Sequence, residues 1–267
     1  MKNSMKKVVI VIPAYNEGDR IGKCLEDYID FFGKLKKDKV IDYEIVVVLN
    51  GCKDNTNEVV ESFRVNNKEV VILDFEESGK GFAVVEGFKE GLRMKGDLIG
   101  FVDADNATPS GAFYGLVRHI NDYDGIIANR WDEESLVGKR DFYLRLRSSV
   151  FNLVVRTLFL FNYRDTQCGA KLFTNEFIKK VHPKLGNSEW SFDVDLLFYA
   201  RYFGFRIRSI PTEWHDKTGS KVSKWTPGRM FFSVFRLRLV HSPFSFILRF
   251  HKKLPRKMQV SYLFRKR

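Results

Sequence analysis

Only three cysteines occur in the 267 residues: Cys24, Cys52 and Cys168. Their odd number and wide spacing exclude a disulfide framework and a cysteine metal site, and point to a reducing compartment. Long apolar runs are missing as well. No window reaches about 18 uncharged apolar residues, because Arg156 breaks 150–163 and Arg236, Arg238 and Arg249 break 230–250, so no membrane-spanning helix is expected. The apolar run behind Met1-Lys2-Asn3-Ser4 is too short for a signal peptide. Internal repeats and low-complexity linkers are absent. The five histidines, at 119, 182, 215, 241 and 251, have no metal-binding spacing. The P-loop spacing is absent too, which excludes that way of holding a nucleotide.

Acid is missing from one end of the chain. Beyond Asp216 there is no Asp or Glu, whereas 217–267 holds 14 Lys or Arg. The first 216 residues hold the other 31 basic residues and all 33 acids, a net charge of −2. A near-neutral body therefore carries a strongly basic tail suited to an anionic membrane surface. Nucleic acid is the weaker partner, because the tail has no recognisable reading motif. We expect a body over 1–222 and a basic amphipathic tail over 223–267. The tail's patterns, Gly228–Val240 and Phe244–Lys253, interleave Phe231, Phe232, Phe235, Phe244, Phe246 and Phe250 with Arg and Lys.

What is present is an alternation of apolar runs and amphipathic stretches. Strands are predicted at 8–12, 44–49, 70–73, around 98–103 and at 125–128, with helices at about 20–32, 56–63 and 109–120 and one opened by Gly79-Lys80-Gly81 that carries Ala83, Val84, Gly87 and Phe88 on its inner side. Such alternation means repeated βαβ units and a mostly parallel sheet. Beyond Arg130 it gives way to a long helix over 141–161, a loop entering a strand at 165–173, a helix over 190–203 and a last strand at 205–213.

Everything converges on Leu98-Ile-Gly-Phe-Val-Asp103-Ala-Asp105-Asn106-Ala-Thr108. It reads as a buried strand that ends in two carboxylates. In an open α/β sheet, that end is where ligands bind. Carboxylates this close repel one another unless a cation lies between them. Hard oxygen ligands suit Mg²⁺ or Mn²⁺, which complete their shells with waters and substrate phosphates. A metal-bridged nucleotide-diphosphate site is the expectation.

Five stretches then occur in order: Ile12-Pro13-Ala14-Tyr15-Asn16-Glu17, the Asn50-Gly51 turn, Gly79-Lys80-Gly81, Asp103-Ala104-Asp105 and Asp165-Thr166-Gln167-Cys168-Gly169. Together they resemble family 2 glycosyltransferases of GT-A fold, a Rossmann-like mixed, mostly parallel sheet flanked by helices. Over about 7–222 the chain resembles the polyprenyl-phosphate branch. Trp190-Ser191-Phe192-Asp193-Val194-Asp195 and Trp214 with Gly219-Ser220-Lys221 are most like its dolichyl-phosphate glucosyltransferases.

The resemblance implies a nucleotide sugar held by Pro13, Tyr15, Glu17, Lys80 and Asp103, with Gln167 and Cys168 flanking the sugar. It implies a metal on Asp105, Arg130 at the diphosphate or the acceptor phosphate, and Asp193 near the acceptor. Relatives usually carry Asp-Asp-Gly-Ser after the second strand, where this chain has Leu49-Asn50-Gly51-Cys52. Asn50 still offers a donor and an acceptor to a base edge. A lipid monophosphate acceptor needs cationic positioning more than a general base, for which Arg145, Arg147 and Lys171 are candidates. The expected activity is metal-dependent, inverting hexosyl transfer onto a polyprenyl phosphate at the cytoplasmic face of a membrane, with UDP-glucose favoured as donor. GDP-mannose, a glycan acceptor and an inactive relative that binds membrane through its tail remain the alternatives. Oligomeric state is left open.

Overall fold

The structure, a computed structural model, describes residues 5–138, 142–185, 191–215 and 226–242, without the side chains of 142–145, 147, 226, 227 and 229. The chain divides into two units, Met1–Lys221 and Val222–Arg267.

The first unit is built on strands β1 (Lys7–Ala14), β2 (Asp42–Asn50), β3 (Val70–Phe75), β4 (Leu98–Phe101), β5 (Gly125–Asn129), β7 (Lys171–Thr174) and β8 (Ile207–Pro211). They form one seven-stranded sheet in the order β3-β2-β1-β4-β7-β5-β8. Only β7 runs antiparallel, between β4 and β5. A small parallel pair, β6 (Leu136–Val137) and β9 (Glu213–Trp214), stands apart. Sequence periodicity did not predict β6, and it ran β8 and β9 together; Thr212 divides them.

Valine and isoleucine fill β1 and β2 because both faces of the sheet are covered. Helices α1 (Ile21–Lys37), α2 (Thr56–Arg64) and α4 (Ser110–Arg118) cover one face, where Ile10, Ile12, Tyr28, Val60 and Phe113 share a core. Helix α3 (Lys80–Arg93) lies on the other face. Its Gly87 sits so close to β1 that a Cβ there would meet Val11 Cγ1 at 2.2 Å. Helices α6 (Asn175–Val181) and α7 (Phe192–Tyr202) complete that layer through the ring contacts of Phe88, Phe101, Phe173, Phe177 and Phe192. Helix α6 was not predicted. The long helix α5 (Phe142–Phe159) also belongs to this unit.

The first strand runs through Pro13 to Ala14, beyond the predicted end at residue 12. Val11 accepts from Val102 N, so odd-numbered residues of β1 turn their backbone groups towards β4. Pairing with β4 ends at Val11–Phe101, while pairing with β2 continues to Ala14–Leu49. The missing N–H of Pro13 therefore faces a side where no strand remains, and proline costs the ladder nothing. Strand β4 is shorter than predicted. It stops at Phe101, so Asp103 and Asp105 lie in the loop beyond it.

The chain leaves β1 towards β2 on one side, while β4 lies on the other. The crevice above the carboxyl ends of β1 and β4 is the topological switch point at which open α/β sheets bind ligands. Because β7 is antiparallel, its start at Lys171 comes to this same edge.

In the second unit, α8 (Thr226–Val240) carries exposed Phe232, Phe235 and Val240 with Arg236 and Arg238, and buries Val234 and Leu237. The predicted pattern over 244–253 lies outside the described residues.

Candidate active site

The loop after β1 is tied to the loops around it. The Glu17 amide donates to Thr56 Oγ1 (2.8 Å), and Lys53 N donates to Asn16 Oδ1 (2.7 Å). Thr56 is fully buried and donates in turn to Asp54, so the start of α2 fixes where residues 15–17 lie. Tyr15 is left 47% exposed, while Pro13 is buried in the strand. Glu17 is held in a two-pronged pair by Arg20, at 2.7 Å from both Nε and Nη2.

Asn50 differs from the expectation. It is 2% exposed, its Nδ2 donates to Ala14 O (2.8 Å), and its Oδ1 accepts from Gly79 N (3.2 Å). The side chain ties β1 to the start of α3 and does not present both groups to a base edge. The turn behind it needs Gly51, which has φ +75.

The two central carboxylates have opposite surroundings. Asp103 is paired with Lys80, whose ammonium also lies 5.9 Å from the Phe101 ring centre. Burial opposes the charge on Asp103, but Lys80, then Lys171 and Arg130, outweigh it and hold its carboxyl below the ordinary value. Burial and next the charge of Asp103 push Asp105 the other way, upward. The Asp105 side chain is 26% exposed, and Arg20, at 3.9 Å, makes its only ion pair among the described residues. Its Oδ1 accepts from Ala107 N (3.0 Å), which shapes the loop. A half-open carboxylate whose charge is under-compensated is suited to a hard divalent cation. No cluster of three His, Cys, Asp or Glu occurs among the described residues. A cation here would take its remaining ligands from water and phosphate, as Mg²⁺ commonly does.

Gly169 is what lets Asp103 sit where it does. A Cβ at 169 would lie 1.9 Å from Asp103 Oδ2. Gly169→Ala should therefore displace the carboxylate, and an ångström of displacement costs about 10²-fold in rate. Steady-state kcat/KM checks this, with wild-type melting behaviour as the control that the fold is kept.

Arg130 follows β5 and is joined to Asp165 by two bonds, Nε–Oδ2 (2.7 Å) and Nη2–Oδ1 (3.0 Å). Its guanidinium carbon lies over the Trp214 ring, 5.3 Å from the centre. Burial of Asp165 is outweighed by Arg130, so its carboxyl is held below the ordinary 3.8. A lowered folded-state value means that this pair contributes its full stability above pH 3.8 and loses it as pH falls through the folded value. Asp165→Asn should flatten the acid limb of stability measured by urea titration between pH 5 and 2.

Two expectations are corrected. Lys171 was expected at the acceptor phosphate. Its ammonium is fully buried, donates to Cys168 O (2.6 Å) and pairs with Asp193, so it holds Asp193 in place. The resemblance implied Cys168 beside the sugar, although the residue itself reads as a small packing residue. It is 0% exposed, and burial pushes its thiol up to about 11, so it is a packing residue. Gln167 is half-buried, with its backbone N donating to Asp165 Oδ1 (3.2 Å). Asp193 lies in the first turn of α7, 13% exposed, and Asp195 is turned away and buried. Arg145 and Arg147 fall on α5, but their side chains lie outside the described residues, as do Trp190 and Gly219-Ser220-Lys221.

Sequence reasoning missed Arg20, Trp214 as the platform for Arg130, and Asn152. The last, on α5, accepts from Thr166 Oγ1 (2.8 Å) and anchors the 165–169 loop. Arg20 had a signal, its i+3 spacing from Glu17. The other two had none.

The sequence model described as Glycosyl transferase family 2 matches residues 9–181. The chain belongs to that family. This transferase is 33% identical over 228 residues to a dolichyl-phosphate beta-glucosyltransferase of Dictyostelium discoideum, covering 81% of this chain and 69% of that one. The human protein of the same name is 31% identical over 231 residues, at 81% and 70% coverage. Among solved structures, a glucosyl-3-phosphoglycerate synthase from Mycobacterium tuberculosis, crystallised with Mn²⁺, UDP and glucosyl-3-phosphoglycerate, superposes with TM-score 0.62. It is 14% identical, at 88% coverage of this chain and 79% of that chain. A mannosyl-3-phosphoglycerate synthase from Rubrobacter xylanophilus gives 0.61 at 17% identity, covering 88% and 74%. These likenesses show that the transferase has the GT-A fold.

Proposed function

We propose that the transferase moves glucose from UDP-glucose to a dolichyl or related polyprenyl phosphate, with inversion at the anomeric carbon. The observation that carries this reading is the crevice above β1 and β4, where Asp103, Asp105, Lys80, Arg130 and Asp193 converge in a chain similar to dolichyl-phosphate beta-glucosyltransferases. Tyr15 and Glu17 line the base and ribose pocket, and Gln167 faces the sugar. Asp105 holds Mg²⁺ or Mn²⁺, which neutralises charge on the leaving diphosphate when bound. The Arg130 guanidinium, whose Nη1 makes no hydrogen bond among the described residues, supplies a second positive charge where the phosphates lie. An oxygen of the acceptor phosphate attacks C1 of glucose from the face opposite UDP. The C1–O bond to UDP breaks with its electron pair, and UDP departs. The acceptor oxygen is already anionic and needs no base, so Asp193, kept in place by Lys171, orients the acceptor side.

The acceptor is a membrane lipid, and no helix of the described residues is long and apolar enough to cross a membrane. Peripheral attachment at the cytoplasmic face is the arrangement we propose. Helix α5 supports it, with Leu146, Val150 and Leu153 exposed along one side and Leu160 just beyond, in a stretch without a single acid. The acid-free tail supports it too.

The test is calorimetry with UDP, GDP, UDP-glucose and GDP-mannose, with and without Mn²⁺, followed by transfer to dolichyl phosphate in vesicles. Metal-dependent binding of UDP-glucose and formation of a glucosyl lipid are expected. Preference for GDP-mannose would overturn the sugar, and binding without transfer would overturn the acceptor.

A further inference from the structure

Among the described residues, Asp165 is a carboxylate that accepts four hydrogen bonds beside the site. It is 0% exposed. Its oxygens accept from Arg130 Nε (2.7 Å), Arg130 Nη2 (3.0 Å) and the Arg130 backbone N (3.0 Å), and from the backbone N of Gln167 (3.2 Å). One buried group thus fixes both the start of the loop after β5 and the loop that enters β7. The guanidinium carbon lies over the Trp214 ring, 5.3 Å from its centre. Among the described residues, Nη1 makes no hydrogen bond, and Arg130 lies near enough to Asp103 to help keep it ionised. The guanidinium is therefore gripped along its Nε–Nη2 edge beside Trp214, with Nη1 left over.

A buried ion pair is weak evidence for stability, since the cost of desolvation offsets much of the attraction. Its use lies elsewhere. Arginine presents planar forks in fixed directions, and a carboxylate on one fork decides where the other points. Building on the transferase reading above, we propose that Asp165 is a positioning residue that aims the Nη1 edge of Arg130 at a phosphate group of the substrates.

The experiment compares wild type, Asp165→Asn, Asp165→Glu, Arg130→Ala and the double variant D165N/R130A. Asp165→Asn and Arg130→Ala should each lower kcat/KM by about 10²-fold, the cost of a misplaced stabilising group. The double variant should be no worse than Arg130→Ala, because the two act as one unit. Guanidinium chloride should restore part of the activity of Arg130→Ala, filling the slot that Asp165 defines, and should restore none in the double variant. A purely structural carboxylate would lower the melting temperature of both without making rescue depend on residue 165. Asp165→Glu should keep the charge and recover stability, yet leave kcat/KM depressed, since its extra methylene moves the fork. Additive losses, or rescue that is equal with Asn at 165, would overturn the proposal. Binding of inorganic pyrophosphate, followed by calorimetry, needs neither sugar nor lipid. A loss there in Asp165→Asn with no glucosyl transfer by wild type would keep this inference and sink the assigned substrates. Equal pyrophosphate binding by wild type and Asp165→Asn, or none by wild type, would sink the inference.

Discussion

Asp105→Ala should lower kcat/KM by about 10²–10³-fold or more and remove the metal dependence of UDP binding. The side chain is short, it keeps 26% of its surface open, and its only ion pair among the described residues is a long one of 3.9 Å to Arg20. Little in the fold depends on its charge. Burial and the neighbouring charge of Asp103 already push its carboxyl upward, so the apoprotein carries an electrostatic cost there. Removing that carboxylate relieves this cost but also loses the hydrogen bond from Ala107 N, so the melting temperature should change little. The paired measurement is a melting curve beside a UDP titration with and without Mn²⁺. Unchanged metal-dependent UDP binding in the variant would move the cation to another ligand set. Asp103→Asn should behave differently. That carboxylate is already neutralised by Lys80, and its loss would free an ammonium in the crevice.

The second large effect is expected at Lys171. Lys171→Met should destabilise the first unit by about 3–5 kcal/mol, the usual cost of breaking a buried pair by removing one partner. The ammonium has no exposure and two partners, the Cys168 carbonyl at 2.6 Å and the Asp193 carboxylate. Methionine fills the volume, so the loss reports the uncompensated carboxylate rather than a cavity. Adding Asp193→Asn should recover part of the stability, because the orphaned charge is then gone, while activity stays low. Urea titration of the two variants separates these effects. Equal stability in Lys171→Met and wild type would mean that Asp193 finds water or another cation, and would leave no reason for a lysine at this position.

The sheet was legible because its strands are buried on both faces and read as unbroken β-branched runs. The helices between them declared themselves by period, and the ends of β1 and β4 declared the crevice. Antiparallel β7 was legible as a strand but not as a neighbour of β4 and β5, since pairing between residues 98–101 and 171–174 leaves no local signature. The five-residue stretch Asp165–Gly169 was recognisable as a unit, yet its division of labour was not. Asp165 grips Arg130, Cys168 packs, and Gly169 makes room for a carboxylate 66 positions earlier in the chain.

The sequence by itself determined the fold class, the family, the position of the two carboxylates and the charge of the tail. Each of these is written in local pattern or in composition, which survive without knowledge of contacts. Only the tertiary structure decided which charges are already paired. Lys80 with Asp103, Lys171 with Asp193 and Arg130 with Asp165 join residues 22 to 35 positions apart. An ion pair depends on separation in space and on burial, and a chain of letters carries neither. For that reason Lys171 looked like a phosphate ligand and proved to be an anchor.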